Sequence, residues 1–372
     1  RLSTFAACPY KHFARHILEL KKRVEFKLEP LDLGLFYHRV LDKFLKRAVA
    51  EKVRFEAIEP TALIKILDEE VEKLCRDDAF ISKFRAHGPH NTFIVNDAVD
   101  YLRDCIIALS QMIRAGAFRP ALSEITFGQA NTAVFNIGDF TITLADGRRL
   151  SLNGRIDRLD VAQINGRKIA IVFDYKTSQE TFSWTRFFYS IDMQLPIYIL
   201  AVLKSSDSRK IAEDVAGAFY LPIKPKLDDI IVSEFAASNQ KFAHKAKGIF
   251  NGRYYDLLDR SVSGNSSFYN FFVTKDGRPY GRYNSLGALN PADFEAFLTS
   301  CMRKIAGLAG QIVSGKITVR PYRLGTESPC GQCDYLPVCR FDWRINRYNI
   351  LSALNKQQAL ARMTNTDEPK ED

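Results

Sequence analysis

Two β-forming runs, Arg149–Asp160 and Lys168–Tyr175, face each other across Asn165-Gly166, and this arrangement constrains the fold more than any other stretch of the chain. Asn-Gly is a strong hairpin dipeptide, because a two-residue type I′ turn needs φ > 0 at both central positions. The two runs are therefore predicted to pair antiparallel. Along the second run, side chains alternate between faces. Ile169, Ile171 and Phe173 take one face, and Ala170 and Val172 take the other. A strand that is apolar on both faces is covered on both faces, which points to an α/β core around a mixed sheet.

Polar residues continue that strand. Asp174 and Lys176 are two apart, so both point to the Ala170/Val172 face beyond the apolar part. Asp157, in Gly154-Arg155-Ile156-Asp157-Arg158, lies 17 residues upstream of Asp174, and the hairpin is expected to bring the two together. Two carboxylates and an ammonium then converge. Carboxylate oxygens suit Mg²⁺. A lysine beside them can orient or deprotonate a water and offset negative charge in a transition state. A bare Asp-x-Lys is usually a surface ion pair; here the upstream aspartate and the residues that follow favour a site. Gln194 and Tyr198 are four apart on the next predicted helix, which starts near Ser190 and runs to about Lys204. They share a helix face that can support the lysine. His38 sits beside an apolar stripe on a helix spanning Leu31–Val49, where a histidine is by default a packed residue. Glu124, at the head of the run Glu124–Phe127, is either a solvated charge or a carboxylate supporting the site.

The flanking segments divide the chain into four parts. Residues 1–120 read as helical, with periodic runs at Leu31–Val49, Thr61–Cys75 and Phe93–Ala115, ended by Gly116 and Pro120. Residues 121–260 hold the β-rich core, with runs at Glu124–Phe127, Ala133–Ile137, Phe140–Leu144 and Val215–Ile223, and a second turn signal at Asp146-Gly147. Residues 261–327 form a loop-rich and then helical extension, with a helix over Asp293–Ile312. Residues 328–372 form a cysteine-bearing loop and tail. The net charge of +10 suggests a polyanionic partner, with nucleic acid ahead of membrane. No apolar run is long enough to span a bilayer, and no signal peptide opens the chain. The start at Arg1 is read as that of a fragment of a longer polypeptide. Gly310-x4-Gly315-Lys316 imitates a phosphate-binding loop, but Ile317 stands where a Ser or Thr should hold Mg²⁺, and a helix, not a strand, precedes it.

Seven cysteines in a chain of 372 residues argue against a secreted disulfide scaffold and for a reducing, cytoplasmic setting. Cys330, Cys333 and Cys339 crowd into ten residues, and Cys8 is the best candidate for a fourth ligand. Cys75, Cys105 and Cys301 fall within helical patterns as small buried residues. Four thiolates satisfy zinc or a [4Fe–4S] cluster, and spacing alone does not separate the two. Either would close a loop of more than 320 residues, which removes on the order of several kcal/mol of chain entropy from the unfolded state.

Together these motifs resemble the PD-(D/E)xK nucleases of the RecB type, most closely the C-terminal nuclease domains of the AddB kind, from Cys8 to Cys339. The resemblance implies a restriction-endonuclease-like core of a mixed central sheet flanked by helices, with a helical N-terminal region and an iron–sulfur staple joining the two ends. It implies a [4Fe–4S] cluster on Cys8, Cys330, Cys333 and Cys339. It implies a Mg²⁺ site on His38, Asp157, Asp174 and the Tyr175 carbonyl, with Lys176, Gln194 and Tyr198 completing the catalytic group. The expected activity is Mg²⁺-dependent DNA exonuclease cleavage within an AddAB-type helicase–nuclease acting in double-strand break repair. The expected partners are DNA, fed as a single strand, and an AddA-like helicase–nuclease chain. A non-cleaving iron–sulfur DNA-binding module and a stand-alone nuclease of the CRISPR-adaptation kind are the rival readings. The helical stretch between Ala50 and Arg119 disfavours the second.

Overall fold

The computed structural model of the protein describes residues 1–21, 32–128, 135–144, 146–224 and 242–364. The strands are β1 (Arg119–Phe127), β2 (Phe140–Thr143), β3 (Arg149–Leu152), β4 (Gly154–Ile164), β5 (Arg167–Lys176), β6 (Asp214–Pro222), β7 (Lys247–Asn251), β8 (Ala288–Leu289), β9 (Tyr322–Leu324) and β10 (Asn349–Leu351). Before β1 come helices α1 (Leu2–Ala7), α2 (Pro9–His12), α3 (Leu33–Ala50), α4 (Pro60–Asp77), α5 (Ala79–Ala86) and α6 (Pro89–Ala115). Then follow α7 (Trp184–Phe188), α8 (Gln194–Lys204), α9 (Tyr255–Leu258), α10 (Pro291–Val313), α11 (Leu336–Cys339) and α12 (Lys356–Thr364).

The Asn165-Gly166 turn closes the expected hairpin. Both residues take left-handed φ, 48° and 80°, and β4 and β5 pair antiparallel from Ile164↔Arg167 to Arg158↔Phe173. Around them a six-stranded sheet runs in the order β1-β4-β5-β6-β7-β8. The β5/β6 and β7/β8 pairs are parallel and the other three antiparallel, so the sheet is mixed. A parallel β5/β6 pair requires a crossover, and α7 and α8 supply it. The alternation along β5 divides two cores. Ile169, Ile171, Phe173 and Tyr175 pack with the helices before β1. Ala170 and Val172 pack with side chains of α7, α8, α10 and α12. Asp174 and Lys176 thus emerge on the α8 side, at the C-terminal end of a covered strand.

Several boundaries differ from those read in the sequence. The first strand begins at Arg119, not at Glu124, and Pro120 lies inside it. The sheet order leaves β1 at an edge, where a residue without N–H is tolerated, and the pairing slips between Pro120 and Leu122. The run Arg149–Asp160 is two strands. It breaks at Asn153: before the break β3 pairs with β2 in a separate hairpin, and after it β4 joins the main sheet. Gly154 permits the crossing, since a Cβ there would lie 2.5 Å from Phe127 Cζ. α8 starts at Gln194, four residues later than Ser190, which has φ 61° and belongs to the turn. Gly310 lies inside α10, which ends at Val313, so the apparent phosphate loop is the last turn of a helix and the turn that follows it. Leu31, the first residue of the predicted helix Leu31–Val49, and the positions 133–134 of the run Ala133–Ile137 lie outside the described residues.

Gly248 on β7 sits where a Cβ would strike the Ala218 carbonyl oxygen and lie 2.6 Å from Phe219 Cα on β6. Backbone cannot yield as a side-chain tip can. Gly248→Ala should cost about 1–3 kcal/mol, read as a lower midpoint of urea unfolding. An unchanged midpoint would contradict the close approach.

Candidate active site

Five elements, α3, β1, β4, β5 and α8, bring the predicted residues together. α3 is capped by Asp32, whose Oδ1 accepts from Leu35 N at 3.0 Å, and it packs against β1. Asp42, one turn after His38 and on the same helix face, accepts from Ser123 Oγ at 2.6 Å, which fixes His38 over the start of β1. His38 Nδ1 then lies 3.3 Å from Asp157 Oδ1 and 3.8 Å from Glu124 Oε1. The donor atoms of His38, Glu124 and Asp157 all lie within 4.8 Å of one another. Glu124 has φ 49°, a left-handed backbone that a glutamate adopts at a cost of about 1–3 kcal/mol. The β1/β4 register continues unshifted from Ser123↔Arg158 to Ile125↔Ile156, which sets Glu124 opposite Asp157.

Asp157 and Asp174 are the next opposed residues beyond Arg158↔Phe173 in the hairpin. Tyr175 N donates to Asp157 Oδ2 at 2.8 Å, which ties the Asp157 carboxylate to the backbone of β5 beside Asp174. Lys176 Nζ lies 2.7 Å from Asp174 Oδ2 and donates to Gln194 Oε1 at 2.9 Å. Gln194 Nε2 donates to Asp174 Oδ1 at 2.6 Å and to Tyr198 OH at 3.0 Å. Gln194 therefore reads both ends of the Asp174–Lys176 pair, and its spacing of four from Tyr198 puts the phenol behind it. Asp192 holds the helix start, accepting from Gln194 N at 3.3 Å and from Tyr220 OH at 3.0 Å. The Tyr220 ring lies 5.0 Å from Lys176 Nζ.

The charges in this cleft perturb one another. Burial opposes charge on His38, but its hydrogen bonds to Asp157 and Glu124 outweigh burial and raise it to about 10. Burial, then the charge of Asp157, raises the Asp174 carboxyl, against the pull of Lys176. Burial works against Lys176, yet Asp174 raises it. The two partners disagree about their ion pair: the lysine gains from it, while the carboxylate remains hard to ionise. The carboxylate is 2% exposed and sets the balance. Its Oδ2 meets Lys176 without hydrogen-bond geometry and has no other partner among the described residues. Three carboxylates, Glu124, Asp157 and Asp174, converge here with the ring of His38. A divalent cation fits that donor set.

Glu124 is drawn closer to the donor group than its place at a strand start indicated, because the pairings that place it there are invisible in sequence. Arg155 Nε lies 2.8 Å from Glu124 Oε2 and could have been found as the residue two before Asp157 on one strand face. On the opposite face, Arg158 is fully buried, paired with Asp160 at 2.5 and 2.7 Å and 4.8 Å from the Phe173 ring centroid. That pair anchors the hairpin below its acidic end.

The cysteines separate as their settings suggested. Cys75, Cys105 and Cys301 are buried in the cores. Cys8, Cys330, Cys333 and Cys339 line one partly open pocket with Tyr10, Pro321 and Phe341. Two further anchors hold the tail: Thr185 Oγ1 donates to Leu354 O at 3.0 Å and accepts from Leu354 N at 2.9 Å, and the fully buried Lys356 donates to Leu286 O at 3.0 Å. Among the described residues, no helix is long and apolar enough to cross a membrane.

A mixed sheet flanked by helices, with paired acids and a lysine at the end of a central hairpin, defines a nuclease-type α/β core. Residues 1–340 match the model of the PD-(D/E)XK nuclease superfamily, and the chain belongs to that superfamily. It is similar to proteins named as the B-type subunits of ATP-dependent helicase/deoxyribonucleases. It is 26% identical to the one from Alkaliphilus metalliredigens, over 100% of this chain and 32% of that protein. It is 28% identical to the one from Clostridium tetani, over 93% and 30%, and 27% identical to the one from Moorella thermoacetica, over 93% and 30%. The chain spans about a third of the length of these relatives.

Proposed function

We propose that this chain is the Mg²⁺-dependent deoxyribonuclease domain of an AddAB-type helicase–nuclease, cutting a single strand of DNA fed to it during double-strand break repair and homologous recombination. One observation carries the reading: the hairpin ends of β4 and β5 place Asp157, Asp174 and Lys176 together, with His38, Glu124 and Gln194 in contact around them. His38, Glu124, Asp157 and Asp174, with the Tyr175 carbonyl, would hold Mg²⁺. When bound, the ion polarises the scissile phosphate and acidifies a water. Lys176, kept charged by Asp174, orients that water and offsets charge on the phosphate. Gln194 sets the position of the lysine, and Tyr198 supports Gln194. The name shared by the relatives supports a helicase-associated role and, with it, an AddA-like partner. Unpaired cysteines throughout fit a cytoplasmic setting.

Cys8, Cys330, Cys333 and Cys339 would hold a [4Fe–4S] cluster. The reading is supported by the four side chains lining one shared pocket, which brings Cys8 to the loop that carries the other three.

The test is cleavage of end-labelled single-stranded DNA with Mg²⁺ or with chelator. The wild type should cut only with Mg²⁺. Lys176→Met should cut on the order of 10²- to 10³-fold more slowly while still taking up the metal by calorimetry. A wild type that leaves the DNA intact in Mg²⁺ would end this reading.

A further inference from the structure

Among the described residues, Arg155 is a cation at the mouth of the site that the proposed chemistry does not use. It stands two residues before Asp157 on β4, so both side chains leave the same face of the sheet, roughly 6.6 Å apart along the strand. Its side chain is 57% exposed, whereas that of Glu124, its partner at 2.8 Å, is 12% exposed. Glu124 is therefore shared. One oxygen faces His38 and the donor group, and the other faces Arg155. Arg155 has no other partner among the described residues. The remaining carboxylates are already engaged: Asp157 by His38 and Tyr175 N, Asp174 by Lys176 and Gln194.

We propose that Arg155 is the phosphate-gripping residue of this site, and that it exchanges Glu124 for the non-bridging oxygens of a DNA phosphodiester when a divalent cation claims Glu124. The proposal rests on the nuclease reading above and deepens it by naming the residue that holds the strand. Charge supplies the driving force. A cation at His38, Glu124 and Asp157 takes up the negative charge of Glu124, which leaves an exposed guanidinium uncompensated beside the metal. A guanidinium offers two parallel N–H donors that match a phosphate, and it is weakly hydrated, so it changes partners at low cost. Its distance along the strand from Asp157 suits a phosphate next to the one being cut. In the cation-free site, Glu124 occupies the same donors. Metal and DNA binding are thereby coupled through one carboxylate.

Binding of a fluorescent 12-nucleotide single strand tests this without relying on turnover, using the whole chain in Ca²⁺ and, separately, in EDTA. In Ca²⁺, Arg155→Ala should bind about tenfold more weakly than the wild type, and its salt slope should be shallower by about 0.7, the value for one lost phosphate contact on a single strand. In EDTA the same substitution should change affinity less than about twofold, because Glu124 already holds the guanidinium. Arg155→Lys should recover part of the loss in Ca²⁺. A strand carrying one neutral methylphosphonate beside the cleavage position should bind Arg155→Ala and the wild type alike. Equal affinities of wild type and Arg155→Ala in Ca²⁺ would overturn the proposal, and so would an equal loss in both buffers. Absence of Mg²⁺-dependent cleavage by the wild type would instead strike the nuclease reading, while the binding comparison still decides the role of Arg155.

Discussion

Asp174→Asn is expected to lose DNA cleavage by on the order of 10³-fold or more, while the metal-free protein melts no lower than the wild type. The two effects separate because the carboxylate is needed for chemistry and is a burden on the fold. Burial, then Asp157, raises Asp174 to about 7 in the folded chain, against roughly 3.9 for an unperturbed aspartate. A raised folded value means that the folded state prefers the proton. Ionising Asp174 therefore costs stability that appears as pH rises from about 4 and is complete above about 7. The uncharged amide carries no such cost. In EDTA, the melting temperature of Asp174→Asn relative to wild type should be level near pH 4 and should rise toward pH 7.5. Divalent cation should then raise the wild type and leave the variant unmoved. A variant that melts well below wild type in EDTA at pH 7.5 would mark Asp174 as a structural ion pair, and one that cuts normally would remove it from the site.

The second large effect concerns the four cysteines. Cys333→Ser should abolish visible absorption near 400 nm in anaerobically purified protein and lower the melting temperature by roughly 5 °C, as expected for loss of a staple across a long loop. The damage should be local. The tail beyond the cysteine loop keeps its own anchors, the reciprocal Thr185–Leu354 hydrogen bonds and the buried Lys356. β9 and β10 pair in parallel on either side of the loop. Limited proteolysis should therefore open residues near the N-terminus and 325–348 first, and cleavage by protein that remains folded at low temperature should persist. A wild type without visible absorption would remove the cluster. Uniform proteolysis across β4, β5 and α8 would show that the cysteines hold the catalytic core itself.

Much of this protein can be read without coordinates because its information is local. The turn at Asn165-Gly166, the two-residue period that sends Asp174 and Lys176 to one face, and the four-residue period that joins Gln194 to Tyr198 all follow from covalent geometry. Three cysteines within ten residues likewise declare themselves. Packing decided the rest. Pro120 lies in a strand because the sheet order leaves β1 exposed at an edge. The long β run divides at Asn153 because Gly154 must pass Phe127. Glu124 meets Asp157 through the β1/β4 register and His38 through the packing of α3 on β1, with its backbone at φ 49°, and no residue pattern encodes those pairings. The sharing of Glu124 between His38 and Arg155 depends on three segments, α3, β1 and β4, that are far apart in the chain. Periodicity fixes which side chains share a face within one element. Distances between elements, and the charge balance they create, depend on how the elements pack.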